Sequence, residues 1–275
     1  MAQRQRIMIA PTHPDAGPMV RAVTEGGMPP GATTVYKGRR NTLFYILPGD
    51  PAEEQRSSGA EPRRNDLTVP VNVKAFRVPP FPNGYVYRSF RKSKAERSYL
   101  NARRLIEEGF FTPEPIAYSE VHTGPWAGAW IKMTRSYYFC RQLPYPNIRG
   151  CEGWDDFEAL TEALGAEMVR LHRAGVWFHD FSPGNILVER LPQGGYRFYY
   201  VDLNRMDFGV TDRHKLMQMF KSISWDMGWI ERLARAYARA AGEDEQTVVA
   251  EALEATTRWR EGHMKKERFK QLIGK

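Results

Sequence analysis

The residues best suited to chemistry lie in one stretch, 177–188, and in its continuation at 199–204. Asp180 follows an apolar pair and a His, and Asn185 comes five residues later across a Pro-Gly turn. The chain then runs as an apolar strand, turns at a Gly pair and returns as a second apolar strand that ends in Asp202. A hairpin of this shape brings Asp180, Asn185 and Asp202 together at one edge. Two carboxylates and an amide oxygen are hard donors that suit Mg²⁺ carrying a polyphosphate.

This arrangement is typical of the catalytic loop of protein-kinase-like folds, Asp-x-x-x-x-Asn, followed by a metal-binding Asp at the end of the next strand. On this interpretation Asp180 accepts the proton of the acceptor hydroxyl, and Asn185 and Asp202 hold the metal. The alternative is a tight turn in which the same side chains only cap the backbone. The spacing alone is common by chance. Its conjunction with the preceding His, the internal Pro-Gly and the second Asp favours the catalytic interpretation.

A hairpin upstream is expected to cover the phosphates of a nucleotide. Residues 33–36 and 42–47 read as its two strands, joined by a basic turn. The turn lacks a Gly-x-Gly-x-x-Gly pattern, so Arg39 and Arg40 could supply charge in its place. An ordinary basic hairpin turn is the alternative.

The next alternating strand, residues 69–76, carries Lys74. In kinases a Lys on the third strand contacts the α- and β-phosphates, and Lys74 fits by position; an edge Lys that extends to solvent is the alternative. Ser93 and Glu96 form a capping box that opens a helix running to Gly109. Glu96 is also the carboxylate best placed to pair with Lys74, so its two roles compete.

The pattern predicts three parts: a leader over 1–32, an N-lobe with the nucleotide-binding sheet and helix over 33–141, and a C-lobe with the catalytic loop, metal site and helices over 142–275. The first 32 residues are rich in Pro and Gly without a clear period, which predicts a loop or a loosely held leader. Residues 48–68 are polar and aperiodic, which predicts a long exposed insertion. The hinge between the lobes is placed at residues 140–143.

The clearest helix covers residues 155–174, with Asp155 as its cap. One apolar stripe along it is interpreted as core: Phe157, Leu160, Leu164, Met168 and Leu171. Further strands are expected at residues 112–118 and 130–140. Beyond Asp202 the pattern predicts helices at about 213–224, 226–241 and 245–271, with Trp229, Leu233 and Tyr237 on one face.

Composition limits the class of protein and its partners. The 275 residues are enough for two lobes, and no apolar run is long enough to cross a bilayer. The apolar segment near the N-terminus is too short for a signal peptide, which favours a cytoplasmic protein. Cys140 and Cys151 are expected to be buried thiols. The formal charge of +8 suggests an anionic partner, such as a nucleotide, a nucleic acid or an acidic lipid.

Six short sequence motifs, one of them the catalytic loop, resemble those of the lipopolysaccharide core kinases, which are the Kdo and heptose kinases. They lie in this order at residues 36–41, 73–74, 91–99, 112–118, 179–185 and 201–205. Members of the group often carry an acidic residue after the Ser-aromatic pair of the first helix. Leu100 stands there in this chain, which leaves Glu96 as the candidate partner of Lys74.

The resemblance implies an α+β, bilobal protein-kinase-like fold, with an N-terminal antiparallel sheet lobe containing one main helix and a mostly helical C-terminal lobe. It also implies ATP and Mg²⁺ as cofactors, a Gram-negative source and a sugar hydroxyl of the lipid A–core as acceptor. An anionic membrane surface is a possible partner, on the inner face of the inner membrane. We expect no nucleic-acid partner, and the sequence leaves the oligomeric state open.

Other classes remain open at this point. A small-molecule kinase of the aminoglycoside or choline type is one, because Phe-His-Asp followed by Pro-Gly-Asn recurs there. A protein kinase is disfavoured because Ser182 stands where a Lys is usual, and no Pro follows Pro192 to form an Ala-Pro-Glu segment. A non-catalytic pseudokinase scaffold is disfavoured by the intact catalytic and metal-binding residue types.

Overall fold

The computed structural model describes residues 2–38, 41–47, 69–78, 92–124 and 132–272. The chain forms two compact units, Met1–Glu107 with Pro113–Pro144 and Glu108–Thr112 with Tyr145–Lys275. Arg39, Arg40 and the insertion predicted at 48–68 lie outside the described residues. The three-part division and the hinge at residues 140–143 stay predictions.

The first unit is built on one antiparallel sheet with the strand order β1-β5-β6-β4-β3-β2. Its strands are β1 (Ala2–Ile9), β2 (Thr33–Lys37), β3 (Asn41–Ile46), β4 (Val71–Phe76), β5 (Pro115–Gly124) and β6 (Lys132–Arg141). β2 and β3 pair as the predicted hairpin. β4, which carries Lys74, lies between β3 and β6 and is therefore a central strand.

The prediction of a loop over residues 1–32 is wrong for two segments. β1 pairs with β5 along its whole length, from Ala2 opposite Gly124 to Ile9 opposite Ala117. Helix α1 (Gly17–Gly26) buries an apolar face in the core of the first unit. β1 is an edge strand in which residues 3–6 are polar and residues 7–9 are apolar, so it lacks an apolar alternation. Two of the prolines of this region lie at the starts of helical turns, where Pro is tolerated, rather than in loops.

Helix α2 (Lys94–Glu107) packs against β5 and β6. Its first turn is capped as predicted, because Ser93 Oγ accepts a hydrogen bond from the backbone N of Glu96 at 3.0 Å. Tyr99, Ala102 and Leu105 are fully buried on its inner face. The cap and these contacts fix Glu96 on the inner side of the helix.

The second unit is mostly helical. Its elements are α3 (Phe157–Arg173), β7 (Trp177–Phe178), β8 (Ile186–Arg190), β9 (Tyr196–Tyr200), β10 (Met206–Asp207), α4 (Arg213–Met217), α5 (Met227–Ala241) and α6 (Glu245–Leu272). Four residues of the stripe predicted along α3 are buried, as are the predicted residues of α5: Leu160, Leu164, Met168 and Leu171, then Trp229, Leu233 and Tyr237. The α+β fold class is confirmed.

The predicted cap of α3 is wrong. The helix begins at Phe157, and the residue at its N-cap position is Asp156, whose side chain makes no capping hydrogen bond. The Asp156 carboxylate instead pairs with Arg190 of β8. The ion pair thus takes the carboxylate that would otherwise cap the helix.

Both cysteines are free and buried, as predicted. Burial raises the pKa of Cys140 to about 12 and that of Cys151 to about 11. Within the described ranges, no helix combines the length and the apolar character that a bilayer crossing requires.

Candidate active site

The β8–β9 hairpin brings the two predicted metal ligands to one end. Its strands pair from Ile186 opposite Tyr200 to Arg190 opposite Tyr196. Just beyond the pairing, the backbone N of Val201 donates to the carbonyl of Asn185 at 2.9 Å. Asn185 and Asp202 therefore lie on adjacent chain segments at the same end, as the sequence predicted from the turn and the two apolar runs.

The loop from Asp180 to Asn185 is closed by its own hydrogen bonds. Asn185 Nδ2 donates to the backbone carbonyl of Asp180 at 3.1 Å, and Asn185 N donates to the carbonyl of Ser182 at 2.9 Å. Pro183 begins a short 3₁₀ turn that ends at Asn185. Because the amide nitrogen of Asn185 binds within the loop, its amide oxygen is the atom left to accept a cation.

His179, the residue before Asp180, connects the loop to the segment that follows Asp202. Its backbone N donates to the carbonyl of Arg205 at 3.1 Å, next to the short β7–β10 pairing. Its ring lies 4.1 Å from the ring of Trp177, and Nε2 lies 3.5 Å from Asp207 Oδ2. Burial lowers the pKa of His179, although the Asp207 carboxylate acts in the opposite direction. These contacts fit a positioning role for His179 beside Asp180.

Asp202 has an unusual backbone. Its φ is 61°, the one positive φ among the described residues other than glycine. Asp tolerates this left-handed region better than most residues, but the conformation still costs on the order of 1 kcal/mol. Asn204 Nδ2 donates to Asp202 Oδ1 at 2.7 Å and helps to orient the carboxylate. Such strain clusters at sites where a side chain must be aimed.

An aromatic cluster of Phe178, Phe181 and Tyr200 packs against the start of the hairpin. The Phe178 ring lies 5.7 Å from that of Phe181 and 4.9 Å from that of Tyr200. The segment at 108–112 belongs to the same unit and makes two hydrogen bonds to the last residue of β9. Thr112 Oγ1 donates to the carbonyl of Tyr200 at 2.7 Å, and Tyr200 N donates to the carbonyl of Phe111 at 3.0 Å. β9 is therefore fixed two residues before Asp202.

Lys74 lies in the first unit, at the middle of the sheet. On β4 it stands opposite Leu43 of β3 and Tyr138 of β6. Its Nζ lies 5.3 Å from the ring centroid of Phe76, two residues along the same strand. The Lys74 charge also acts to lower the pKa of the buried Cys140 thiol, although burial prevails. Lys74 is half-buried.

Glu96 is bound by a residue that the sequence analysis missed. Arg6 of β1 donates to both carboxylate oxygens, from Nη1 at 3.2 Å and from Nη2 at 3.0 Å. Tyr118 Oη also reaches Glu96 Oε1 at 3.5 Å. Arg6 could not be found from the pattern, because it belongs to the segment predicted as a leader. The pairing of Glu96 with Lys74 stays a prediction.

The fold matches solved structures, whereas two comparisons by sequence found no match. No protein-family model matches the chain, and no curated protein matches it in sequence. The structure of WaaP in complex with acyl carrier protein aligns over 94% of this chain and 98% of its own, with a TM-score of 0.52 and 17% identity. Two structures of the Rio2 kinase from Chaetomium thermophilum, one an ADP/Mg²⁺-phosphoaspartate complex, align over 84% of this chain and 72% and 73% of their own. Their TM-scores are 0.41 and 0.45, at 16% identity. The likeness to WaaP and the architecture of the two units show a protein-kinase-like fold.

Proposed function

We propose that the chain is an ATP-dependent kinase that transfers the γ-phosphate to a sugar hydroxyl, of Kdo or heptose, in the lipopolysaccharide lipid A–core. The observation that carries the proposal is the closed Asp180–Asn185 loop beside the strained Asp202 at one end of the β8–β9 hairpin. The sequence motifs that resemble those of the lipopolysaccharide core kinases support the choice of acceptor.

The proposed roles follow from what phosphoryl transfer requires. The reaction depends on alignment and charge neutralisation more than on covalent participation by the protein. Asp180 orients the acceptor hydroxyl and accepts its proton. The loop backbone around it is held by Asn185, which donates to the Asp180 carbonyl, and by the preceding His179, whose backbone N donates to the carbonyl of Arg205.

The donor set fits Mg²⁺. The amide oxygen of Asn185 and the carboxylate of Asp202 are hard oxygen ligands from adjacent segments. When bound, the metal would neutralise phosphate charge. Within the described residues no group of three or more His, Cys, Asp and Glu forms an all-protein metal cage. Two protein ligands completed by phosphate and water oxygens are what Mg²⁺ in nucleotide sites usually has.

The first unit would hold the nucleotide phosphates. Lys74 is proposed to contact the α- and β-phosphates, with Glu96 fixing its position, and Arg39 and Arg40 to add charge at the β2–β3 turn. The central place of β4 in the sheet supports the role of Lys74.

The test is phosphoryl transfer from radiolabelled ATP to a panel of acceptors: lipid A–core saccharides, a protein substrate and an aminoglycoside. We expect Mg²⁺-dependent labelling of a lipid A–core sugar. The control is Asp202→Asn, because Asn also tolerates the left-handed backbone and keeps the shape of the side chain while removing its charge. We expect this variant to fold normally and to lose transfer.

Three other outcomes of this test would each contradict part of the proposal. Labelling of the aminoglycoside alone would favour a small-molecule kinase. Nucleotide binding without transfer to any acceptor would favour a pseudokinase scaffold. Transfer at the wild-type rate by a folded Asp202→Asn variant would reject the metal assignment.

A further inference from the structure

An arginine of the first strand binds the Glu96 carboxylate at two points. Arg6 lies in the middle of β1, opposite Glu120 of β5. Its two terminal nitrogens each donate to one oxygen of Glu96, Nη1 at 3.2 Å and Nη2 at 3.0 Å. A guanidinium that binds a carboxylate through two hydrogen bonds fixes the orientation of the carboxylate as well as its charge.

Arg6 also lies near a second buried carboxylate. Its Nη1 is 3.9 Å from Glu120 Oε2, and both Glu96 and Glu120 are less than a tenth exposed. Glu120 Oε1 is buried without a hydrogen-bond partner among the described residues. Because a buried carboxylate that loses its cation is costly, the position of the Glu96 side chain depends on Arg6.

Tyr118 of β5 is a further contact of Glu96. Its Oη donates to Glu96 Oε1 at 3.5 Å, and the Arg6 guanidinium lies 5.5 Å from the centroid of its ring. Burial, followed by the Glu96 charge, raises the pKa of Tyr118 to about 12, so the phenol stays a donor at neutral pH. The Tyr118 ring also lies 5.4 Å from that of Tyr99 on α2, so these contacts are on the face of the sheet that α2 covers.

The register of the sheet connects Tyr118 to Lys74. Tyr138 of β6 stands opposite Tyr118 of β5 on one side and opposite Lys74 of β4 on the other. Residues directly opposite each other in a sheet point to the same face. Tyr118 and Lys74 therefore lie on one face, with their Cα atoms about 10 Å apart, which is two strand spacings.

The first turn of α2 reaches the same region. Lys94, the first residue of the helix, has its Nζ 6.0 Å from the Phe76 ring centroid, and Lys74 Nζ lies 5.3 Å from the same centroid. Glu96 follows Lys94 by two residues. A carboxylate offers about four lone-pair positions, so Glu96 can bind Arg6 and still accept from the Lys74 ammonium.

We propose that Arg6 is a positioning residue of the nucleotide site, which fixes Glu96 so that its carboxylate orients Lys74 toward the phosphates. The inference rests on the proposed function, in which Lys74 contacts the phosphates. Arg6 touches no nucleotide on this proposal and acts through Glu96. Strand β1 is then part of the phosphate-binding machinery.

The test compares a ligand that has phosphates with one that has none. A non-hydrolysable ATP analogue with Mg²⁺ and adenosine are each titrated by calorimetry into the full chain. We expect Arg6→Gln to weaken binding of the analogue by roughly tenfold, the order for loss of a charged hydrogen bond, and to leave the affinity for adenosine unchanged. Equal weakening of the two ligands would show a general loosening of the first unit and would overturn the proposal.

Two further variants separate position from charge. Arg6→Lys keeps the charge but lacks the planar fork that binds both oxygens, so it should recover part of the affinity. Arg4→Gln is the matched control, because Arg4 lies on the same strand two residues away and therefore on the same face. Within the described part of the chain, Arg4 forms no ion pair with Glu96 or Glu120. An equal loss in Arg4→Gln would mean that the charge of β1 acts on the phosphates directly, without Glu96.

A double-mutant cycle tests the route through Glu96. Glu96→Gln should also weaken binding of the analogue, and adding Arg6→Gln to it should cost nothing further, because the contact is already lost. The Glu96→Gln background removes the buried charge that Arg6 offsets, so the comparison holds even where Arg6→Gln alone folds poorly. Additive losses would place the action of Arg6 elsewhere. Tighter binding by Arg6→Gln would mean that Arg6 competes with Lys74 for Glu96, and it too would overturn the proposal.

The remaining outcomes separate this role from the proposed function. If the wild type phosphorylates a core sugar and Arg6→Gln binds the analogue with wild-type affinity, the kinase proposal stands and the positioning role fails. If Arg6→Gln weakens the analogue and not adenosine, but the wild type phosphorylates no acceptor, the positioning role stands and the kinase proposal fails.

Discussion

The backbone carbonyl of Asp180 accepts a hydrogen bond from Asn185, and its carboxylate is the proposed base for the acceptor hydroxyl. Asp180→Asn keeps the shape of the side chain but removes its charge and basicity. We expect nucleotide affinity to stay within a few-fold, because Asp180 is not assigned to the nucleotide. Transfer to the sugar should fall by roughly 10²–10⁴, the span that general-base catalysis supplies. Single-turnover transfer and calorimetry of nucleotide binding would measure the two effects.

His179→Gln is the companion to that experiment. His179 meets Asp207 and Trp177 and carries no proposed chemical role, so its substitution should cost less in transfer rate than Asp180→Asn in an equally stable protein. A wild-type transfer rate in Asp180→Asn would remove the basis for the catalytic-loop interpretation, whatever the result for His179.

At the residue scale, sequence reasoning succeeds where the geometry is local. Asp180, Asn185 and Asp202 are related through one hairpin, and a hairpin can be recognised from a turn and two apolar runs. Arg6 and Ser222 are different. Arg6 reaches Glu96 through the pairing of β1 with β5, and Ser222 reaches the carbonyl of Phe181 from a later helical turn. No local pattern encodes such contacts.

Among the elements, the crossing of α3 and α5 depends on a glycine. A Cβ added to Gly165 would come within 2.7 Å of Ala236 Cβ and of the backbone N of Tyr237. We therefore expect Gly165→Ala to lower the free energy of unfolding by about 1–3 kcal/mol, as overpacking does. Urea unfolding would measure the change.

The matched control is Gly262→Ala, in the interior of helix α6. Among the described residues, a Cβ there meets no heavy atom within 4 Å beyond its own helical turn, so the better helix propensity of Ala should act alone. We expect this variant to gain up to about 1 kcal/mol. Because the propensity gain is common to both sites, a stabilised Gly165→Ala variant would show that the helices are not closely packed there.

The same pair of helices contains a pH-sensitive contact. His172 Nδ1 lies 3.0 Å from Tyr237 Oη, and burial lowers the pKa of His172 to about 4, helped by the Arg213 charge and opposed by that of Glu243. The unfolded chain keeps a pKa near 6.5, so it binds more protons than the native state between these values. Stability from this residue is complete above about pH 6.5 and is lost as the pH falls to about 4.

The expected loss is about 3 kcal/mol of unfolding free energy. It would be measured by urea unfolding at about pH 7.5 and about pH 4, in the wild type and in His172→Gln, which has no group titrating in this range. The wild type should lose more stability than the variant over this interval. Equal losses would show that His172 titrates normally in the native state.

The elements themselves were predictable when a period was strong, as in α3, α5 and the β2–β3 hairpin. The failures have physical causes. β1 is an edge strand without an apolar alternation, and its place is decided by pairing with β5. α1 begins next to prolines that resemble loop residues in isolation. The cap of α3 was predicted one residue early, and Asp156 at the observed N-cap position pairs with Arg190 of β8 instead of capping the helix, a contact from far along the chain.

For the molecule as a whole, the formal charge of +8 and one aromatic surface suggest where the protein works. The surface, here the Trp225 patch, consists of Trp225, Trp259, Arg260 and His263. Trp225 is 61% exposed and lies 5.7 Å from Trp259, with the Arg260 guanidinium 5.1 Å from its ring centroid. The His263 ring stacks on Trp259 at 5.3 Å. Exposed Lys265 and Arg268 follow on the same helix. Trp rings favour the boundary between lipid and water, and basic side chains favour anionic headgroups.

We therefore expect the protein to bind anionic vesicles through the Trp225 patch, as a kinase of a lipid-anchored acceptor would. Each basic side chain near the surface contributes on the order of 1 kcal/mol, and the attraction fades over about 10 Å at 0.1 M salt. Cosedimentation should weaken sharply as salt rises and should be absent with neutral vesicles. Trp225→Ser should reduce it at every salt concentration, whereas Ile106→Ser, an exposed apolar residue of α2 outside the patch, should not. Binding that does not change with salt would show that charge does not direct the protein to a membrane. Equal losses in the two variants would show that the Trp225 patch is not the membrane contact.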